Sequence, residues 1–138
     1  MVEIINNLKE DQETILTKIE YLANDYRNYP EQAELSCEDK IRIKEINIDS
    51  ILFSVERMVK SPQNVVFSIF VSFDIKIWFK SSYENNSFIT PEELLVVAKE
   101  NKDLFFGTSL ARMSLIISEI SAQIGRGIPI ITPPIISE

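Results

Sequence analysis

The sequence predicts an α+β fold in which an antiparallel β-sheet is packed by helices. Residues 65–79 alternate with period two, and all eight odd-numbered residues in this run are apolar, which is typical of a strand in a half-solvated antiparallel sheet. Residues 3–27 and 108–124 instead place apolar residues at steps of three and four, the spacing of one helix face. Residues 90–93 read Thr-Pro-Glu-Glu, a capping-box sequence that begins a helix.

The N-terminal segment, residues 1–27, is predicted to be an extra helix that precedes the sheet. Apolar residues at positions 5, 8, 15, 19, 22 and 26 form a heptad-like seam. This helix either packs on its own domain or pairs with another subunit, and the pattern leaves both alternatives open. It should end before Pro30, because a proline disfavours helical backbone at the preceding residue.

The sheet is predicted within residues 41–80. The apolar pattern changes phase by one residue at Glu45, which indicates a β-bulge or a strand break. Phe70 and Trp78 are apolar residues on the otherwise polar face of the clearest strand. They are candidate contact residues for a partner, with cover by the N-terminal helix as the alternative.

Residues 90–124 are predicted to form two helices, the first from Pro91 to about Glu100. The apolar face of the second helix is a candidate oligomer interface, and it consists of Leu110, Met113, Ile117, Ile120 and Ile124. Glycines at 125 and 127 should end this helix. Residues 125–138 contain three closely spaced prolines, which predict an extended tail. Together these elements suggest one domain over residues 1–138.

Composition excludes several function classes. The net charge of −7 argues against a nucleic-acid partner, which requires a basic surface. The chain has no His and a single Cys, Cys37, so it predicts no His-based catalysis, no metal site and no intrachain disulfide. It also has no phosphate-binding loop or nucleophile motif, so we predict no catalytic residues, no cofactor and no enzyme activity. No apolar run is long enough for membrane insertion, and we expect a cytoplasmic protein that works by binding other proteins.

The C-terminal third contains an ordered series of features. It comprises Phe88-Ile89, a helix from Pro91, the corner Leu104-Phe105, Arg112 on a long helix, and Gly127-Ile128-Pro129 leading to Pro133-Pro134-Ile135. Over residues 87–136 this order resembles the SecB family of bacterial protein-export chaperones. The sequence departs from the family in its longer last helix, in its split prolines and in its helical N-terminus.

The resemblance implies an ATP-independent holdase that binds unfolded or pre-export polypeptides and assembles as a dimer or tetramer. Phe70 and Trp78 would then contact the client. The alternative is a small protein–protein interaction module without general chaperone activity, such as an antitoxin-associated, immunity or mobile-element inhibitor protein.

Overall fold

The chain forms four strands followed by two helices within the parts that the computed structural model describes, residues 8–23, 35–60, 67–80, 90–124 and 131–132. The elements are β1 (Leu8–Ala23), β2 (Ser36–Ile46), β3 (Ser50–Lys60), β4 (Phe67–Phe79), α1 (Pro91–Glu100) and α2 (Lys102–Ile124). All strand pairs are antiparallel, and the sheet order is β1-β4-β3-β2, so that β1 and β2 are its edges. The predicted α+β architecture is confirmed.

The predicted N-terminal helix is wrong, because residues 8–23 form the edge strand β1. The register against β4 shifts between Leu16 and Lys18. Before this shift Leu16 lies opposite a core residue of β4, and after it Ile19 does so. The residues that face the helix layer therefore have even numbers up to Leu16 and odd numbers from Ile19. This change breaks the period-two pattern and leaves the apolar residues at spacings of three and four, which resemble those of a helix. The rest of the predicted helix, residues 1–7 and 24–27, lies outside the described residues.

The predicted sheet is confirmed in its main features. Strand β2 begins at Ser36, earlier than predicted, and Cys37 lies on it. The register of β2 against β3 shifts between Ile43 and Glu45, which is the bulge that the phase change indicates. In β4 the odd-numbered residues from Ile69 to Phe79 are buried in the core.

Helix α1 begins with the predicted capping box. The Thr90 hydroxyl accepts a hydrogen bond from the Glu93 backbone N–H at 3.2 Å, and the Glu93 carboxylate accepts one from the Thr90 N–H at 3.4 Å. Both bonds satisfy N–H groups that a helix end leaves without partners. Helix α1 ends at Asn101, whose side chain donates to the Val97 carbonyl.

Helix α2 begins at Lys102, ahead of the predicted start, because the aromatic corner is its first turn. Phe105 and Phe106 pack edge-on against Phe53 of β3, with ring centroids 5.7 and 5.3 Å apart. The helix has the length and composition of a membrane-spanning segment. In this fold its most apolar face packs on the sheet and supplies part of the core.

The helices cover one face of the sheet unevenly. Helix α1 packs over β2, whereas α2 packs over β3 and β4. The other face of the sheet is the open face. Among the described residues α2 reaches β1 at Gln12 and Thr14, and several large apolar side chains of this edge strand stay exposed.

Candidate functional site

Strand β1 exposes large apolar side chains, which is unusual for the edge of a sheet. The exposed fractions are 52% for Ile15, 42% for Leu16, 44% for Ile19 and 55% for Leu22. We call these four residues the β1 strip. Within the described sheet, β1 pairs with β4 on one side, so its other side presents backbone groups that can accept a further strand.

The β1 strip occupies both faces of the sheet. Leu16 and Ile19 lie opposite core residues of β4 and therefore face the helix layer, whereas Ile15 and Leu22 lie opposite Asp74 and Ser68 on the open face. The strip is accordingly a two-sided apolar edge rather than a patch on one surface.

Helix α2 reaches β1 through two hydrogen bonds, and both involve the first half of the strand. Gln12 Nε2 donates to the Leu104 carbonyl at 3.0 Å, and Arg112 Nη1 donates to Thr14 Oγ1 at 2.6 Å. Beyond Thr14 the helix-facing Leu16 and Ile19 are exposed, whereas Tyr21, opposite Ile69, is half-buried and packs against the core. Leu104 and Leu115 of α2 are also exposed.

Phe70 and Trp78 lie on the open face, where the sequence places them. Both are half-buried, and each ring is covered by a lysine: Lys18 Nζ lies 5.6 Å from the Phe70 centroid and Lys76 Nζ lies 5.4 Å from that of Trp78. Cover by an N-terminal helix is wrong for residues 8–23, because that segment lies in the sheet beside β4. Their contact with a client stays a prediction.

The candidate oligomer face of α2 requires a correction. Leu110, Met113 and Ile117 are fully buried in the core of their own chain, so their side chains are not available to another subunit. Ile120 is half-buried and packs against the same core, and the side chain of Ile124 lies outside the described residues. The heptad-like seam of α2 packs against the sheet of its own chain.

A buried ion pair joins β2 to β3. Asp39 and Arg57 lie opposite each other in the register, and both side chains are fully buried. The guanidinium binds the carboxylate in a bidentate manner, with Nε–Oδ1 at 2.7 Å and Nη2–Oδ2 at 2.8 Å. Burial disfavours the charged guanidinium, but the hydrogen bond and charge of Asp39 outweigh it, and the pKa of Arg57 is raised.

The same guanidinium extends to α2 and to the C-terminal segment. Arg57 Nη1 donates to Ser114 Oγ at 3.2 Å and to Thr132 Oγ1 at 3.1 Å, and Thr132 Oγ1 in turn donates to Ser114 Oγ at 3.1 Å. Sequence reasoning missed this cluster. The alternation of β3 could have indicated that Arg57 is buried, because Arg57 continues the odd-numbered, core-facing series that Ile51, Phe53 and Val55 begin.

The described residues contain no group of three or more Cys, Asp or Glu side chains that could hold a metal ion. Charged pairs on the open face instead bind one another, as Lys44 Nζ binds Asp74 Oδ2 at 2.9 Å and Arg42 binds Glu56.

Comparison with known proteins gives a likeness of structure. No family model and no curated protein sequence matches the chain. Among solved structures, Mycobacterium tuberculosis Rv1957, a SecB-like chaperone in complex with a ChAD peptide from the Rv1956 HigA1 antitoxin, matches with a TM-score of 0.66. The match has 9% sequence identity and covers 96% of this chain and 90% of that one.

The chain has a SecB-like fold. A protein of unknown function from Streptococcus agalactiae also matches, with a TM-score of 0.48 and 8% identity over 91% of this chain and 98% of that one. The SecB-like fold agrees with the resemblance in its two helices, whereas Phe88-Ile89, Gly127-Ile128-Pro129 and Pro133-Pro134-Ile135 lie outside the described residues.

Proposed function

We propose that this chain is a divergent SecB-like chaperone that holds unfolded or pre-export polypeptides without nucleotide in the bacterial cytoplasm. The observation that carries the proposal is the β1 strip on a SecB-like fold: a 16-residue edge strand with four exposed apolar side chains. A folded partner is not required for such a surface, because an unfolded chain supplies both apolar side chains and free backbone groups.

Holding would work by surface burial at this edge. Each square ångström of apolar surface removed from water contributes about 25 cal/mol, and a client strand alongside β1 would add backbone hydrogen bonds. These interactions depend on the client being extended and apolar rather than on its particular sequence, so the specificity for clients would be low. The net charge of −7 keeps a protein with this exposed surface soluble.

We further propose assembly as a dimer or tetramer. Because the seam of α2 is buried within the chain, assembly would use another apolar surface, and the β1 strip and the exposed Leu104 and Leu115 of α2 are the candidates. Static light scattering at micromolar concentration measures the number of subunits. A strict monomer at that concentration would contradict this part of the proposal.

The test of holding is suppression of aggregation. Stoichiometric protein, without nucleotide, should keep several unrelated denatured proteins from scattering light on dilution. Suppression of none of them would contradict the holdase proposal.

Trp78 provides a direct probe of the open face, because it is the only Trp of the chain. If a Trp-free unfolded client contacts Phe70 and Trp78, the Trp78 emission should shift to shorter wavelength as the ring loses water. Unchanged emission at saturating client would remove the open face from the binding surface while leaving holding to the aggregation assay.

The second candidate is a binding module for one specific partner. The observation that favours it is that the solved SecB-like neighbour holds a peptide from an antitoxin. In this case the protein would suppress the aggregation of a single client or bind one folded partner tightly. The panel of unrelated clients separates this candidate from the general holdase.

A further inference from the structure

Strand β1 is divided by a bulge at Thr17. Leu16 lies opposite Phe73 and Lys18 lies opposite Ser72, so Thr17 is an extra residue in the register. Its hydroxyl donates to the Ser72 carbonyl at 3.0 Å and also lies 3.0 Å from the Ser72 hydroxyl. The bulge is therefore fixed to β4 by a side chain.

The bulge separates two regular ladders of β1. Pairing with β4 is unbroken over residues 12–16 and again over residues 18–23. A strand added on the side of β1 that faces away from β4 needs regularly spaced backbone groups. Such a strand can follow one of the two ladders, but it cannot continue across Thr17 unless it carries a matching irregularity.

We infer that the bulge confines a bound client strand to residues 18–23, so that β1 holds a short extended segment of about six residues with apolar side chains on both faces. This inference rests on the proposed function, because it names the part of the client that β1 takes. It gives Thr17 a role in selection, which is to limit the length of the segment that binds.

Two observations favour the second ladder over the first. Helix α2 hydrogen-bonds to Gln12 and Thr14, so it occupies the helix-facing side of the first ladder. Residues 9–13 contain three acidic side chains and one Lys, whereas residues 18–23 contain one acidic side chain and one Lys. The second ladder therefore offers apolar contacts without a net charge that selects among clients.

The length of this ladder favours a client segment over a second copy of the chain. A strand along residues 18–23 is about 20 Å long, and strands in a sheet lie about 4.8 Å apart. The area that such a strand covers is far below the roughly 800 Å² that each partner buries in a stable complex. Two copies paired over this segment alone would separate, whereas weak and reversible contacts suit a client that must be released.

Two double variants with matched apolar losses test which segment binds. Ile15 and Leu16 are 52% and 42% exposed, and Ile19 and Leu22 are 44% and 55% exposed. Each pair has one side chain on each face of the sheet. If apolar area alone decided, Ile15→Thr with Leu16→Thr would weaken client binding as much as Ile19→Thr with Leu22→Thr.

The inference predicts unequal losses. The variant beyond the bulge should bind about tenfold more weakly, and the variant before it should stay within about twofold of the wild type. Titration of labelled, reduced and carboxymethylated α-lactalbumin, which stays unfolded in buffer, measures both dissociation constants. Thermal unfolding verifies that both variants remain folded.

Deletion of Thr17 tests the bulge itself. The other residues keep their partners and their faces, because Leu16 and Lys18 already lie opposite neighbouring residues of β4. The two ladders then become one. Uncharged peptides of Val and Thr with capped ends, about six or about twelve residues long, should bind the wild type equally well, whereas the longer one should bind the deletion variant about tenfold more tightly.

Amide hydrogen exchange of the full chain, followed by NMR, locates the bound segment. Saturating client should slow exchange within residues 18–23 and leave residues 12–16 unchanged. In the deletion variant, the longer peptide should slow exchange in both ranges.

Four results would overturn the inference. They are equal losses in the two double variants, a longer peptide that already binds the wild type more tightly, client protection on both sides of Thr17, and protection of residues 18–23 without client in a protein that light scattering shows to be a dimer. The last result would assign this edge to a second copy. In each case the aggregation assay still decides whether the protein holds clients, whereas failure to bind any unfolded chain would remove the proposed function and this inference together.

Discussion

The two edges of one sheet are built in opposite ways. Strand β1 exposes the four apolar residues of the β1 strip, whereas the large apolar residues within β2 are turned toward the helix layer, with Ile41 at 8% exposure. The exposed residues of β2 include many charged side chains: Glu38, Lys40, Arg42, Lys44 and Glu45. Charges and a bulge are the usual protection of an edge strand against other chains. Strand β1 also has exposed charges and a register shift, so the two edges differ in their apolar exposure rather than in these protections.

The difference follows from where the helices lie. Helix α1 packs over β2, and the buried pair of Asp39 and Arg57 ties that strand to β3. Over β1, α2 supplies hydrogen bonds at Gln12 and Thr14, and beyond them Leu16 and Ile19 are exposed. Among the described residues, β2, which we call the closed edge, is covered by a helix and tied to β3, whereas β1, which we call the open edge, exposes apolar side chains, and this difference is what the proposed binding at β1 rests on.

The largest effect is expected from breaking the closed edge. Asp39→Ala leaves the Arg57 guanidinium buried without its counterion, so the free energy of unfolding should fall by about 3–5 kcal/mol. Urea denaturation measures the loss. Arg42→Ala, which removes an exposed ion pair with Glu56 in the same pair of strands, is the control and should cost less than about 1 kcal/mol. Equal losses in the two variants would contradict the anchoring role of Asp39.

A smaller effect is expected from the open edge. The double variant Ile19→Thr, Leu22→Thr removes apolar surface from both sides of β1 while keeping residues that favour strands. Binding of an unfolded client should weaken about tenfold, because each side chain loses apolar area that the client would cover.

The matched control for the open edge lies beside the closed one. Leu35→Thr, Ile48→Thr changes two exposed apolar residues that flank β2, and it should leave client binding within about twofold of the wild type. Titration of a labelled unfolded protein measures both variants. If the control weakens binding as much as the β1 variant, the asymmetry of the edges has no role in holding.

The smallest effect is expected from the charges of the closed edge. Lys44→Met removes a partly exposed ion pair with Asp74. Because solvent screens this pair, the free energy of unfolding, measured by urea denaturation, should fall by less than about 1 kcal/mol.

Salt separates apolar binding from charge pairing. In 1 M sodium sulfate, client binding at β1 should become tighter, because this salt strengthens apolar burial. Binding that weakens as sulfate is added would indicate that charge pairs, and not the β1 strip, hold the client.

Local patterns predicted the elements in which sequence and packing agree. The alternation of β4 and the capping box of α1 are both realised, because each depends on neighbours along the chain or on one buried face. The positions of Phe70 and Trp78 on the open face followed from the same alternation. The β1 strip was missed because a register shift and the exposure of both faces remove the period-two signal.

The cluster of Arg57, Ser114 and Thr132 was missed for a different reason. Arg57 at a core-facing position could be noticed from parity, but its partners are Asp39 on another strand, Ser114 on a helix and Thr132 in the tail. No spacing along the chain brings these residues together. Only the packing of α2 and the C-terminal segment on the sheet places them within hydrogen-bond distance.

The sequence by itself determined that this is an acidic α+β protein with an antiparallel sheet, a capped helix and no recognisable catalytic motif, because composition and local periodicity encode those properties. The tertiary structure alone decided that residues 8–23 are a strand, that the seam of α2 belongs to the core and that β1 is the open edge. The physical reason is that burial depends on which elements pack against a residue. The sequence shows that a side chain is apolar, but it does not show whether a helix or water covers it.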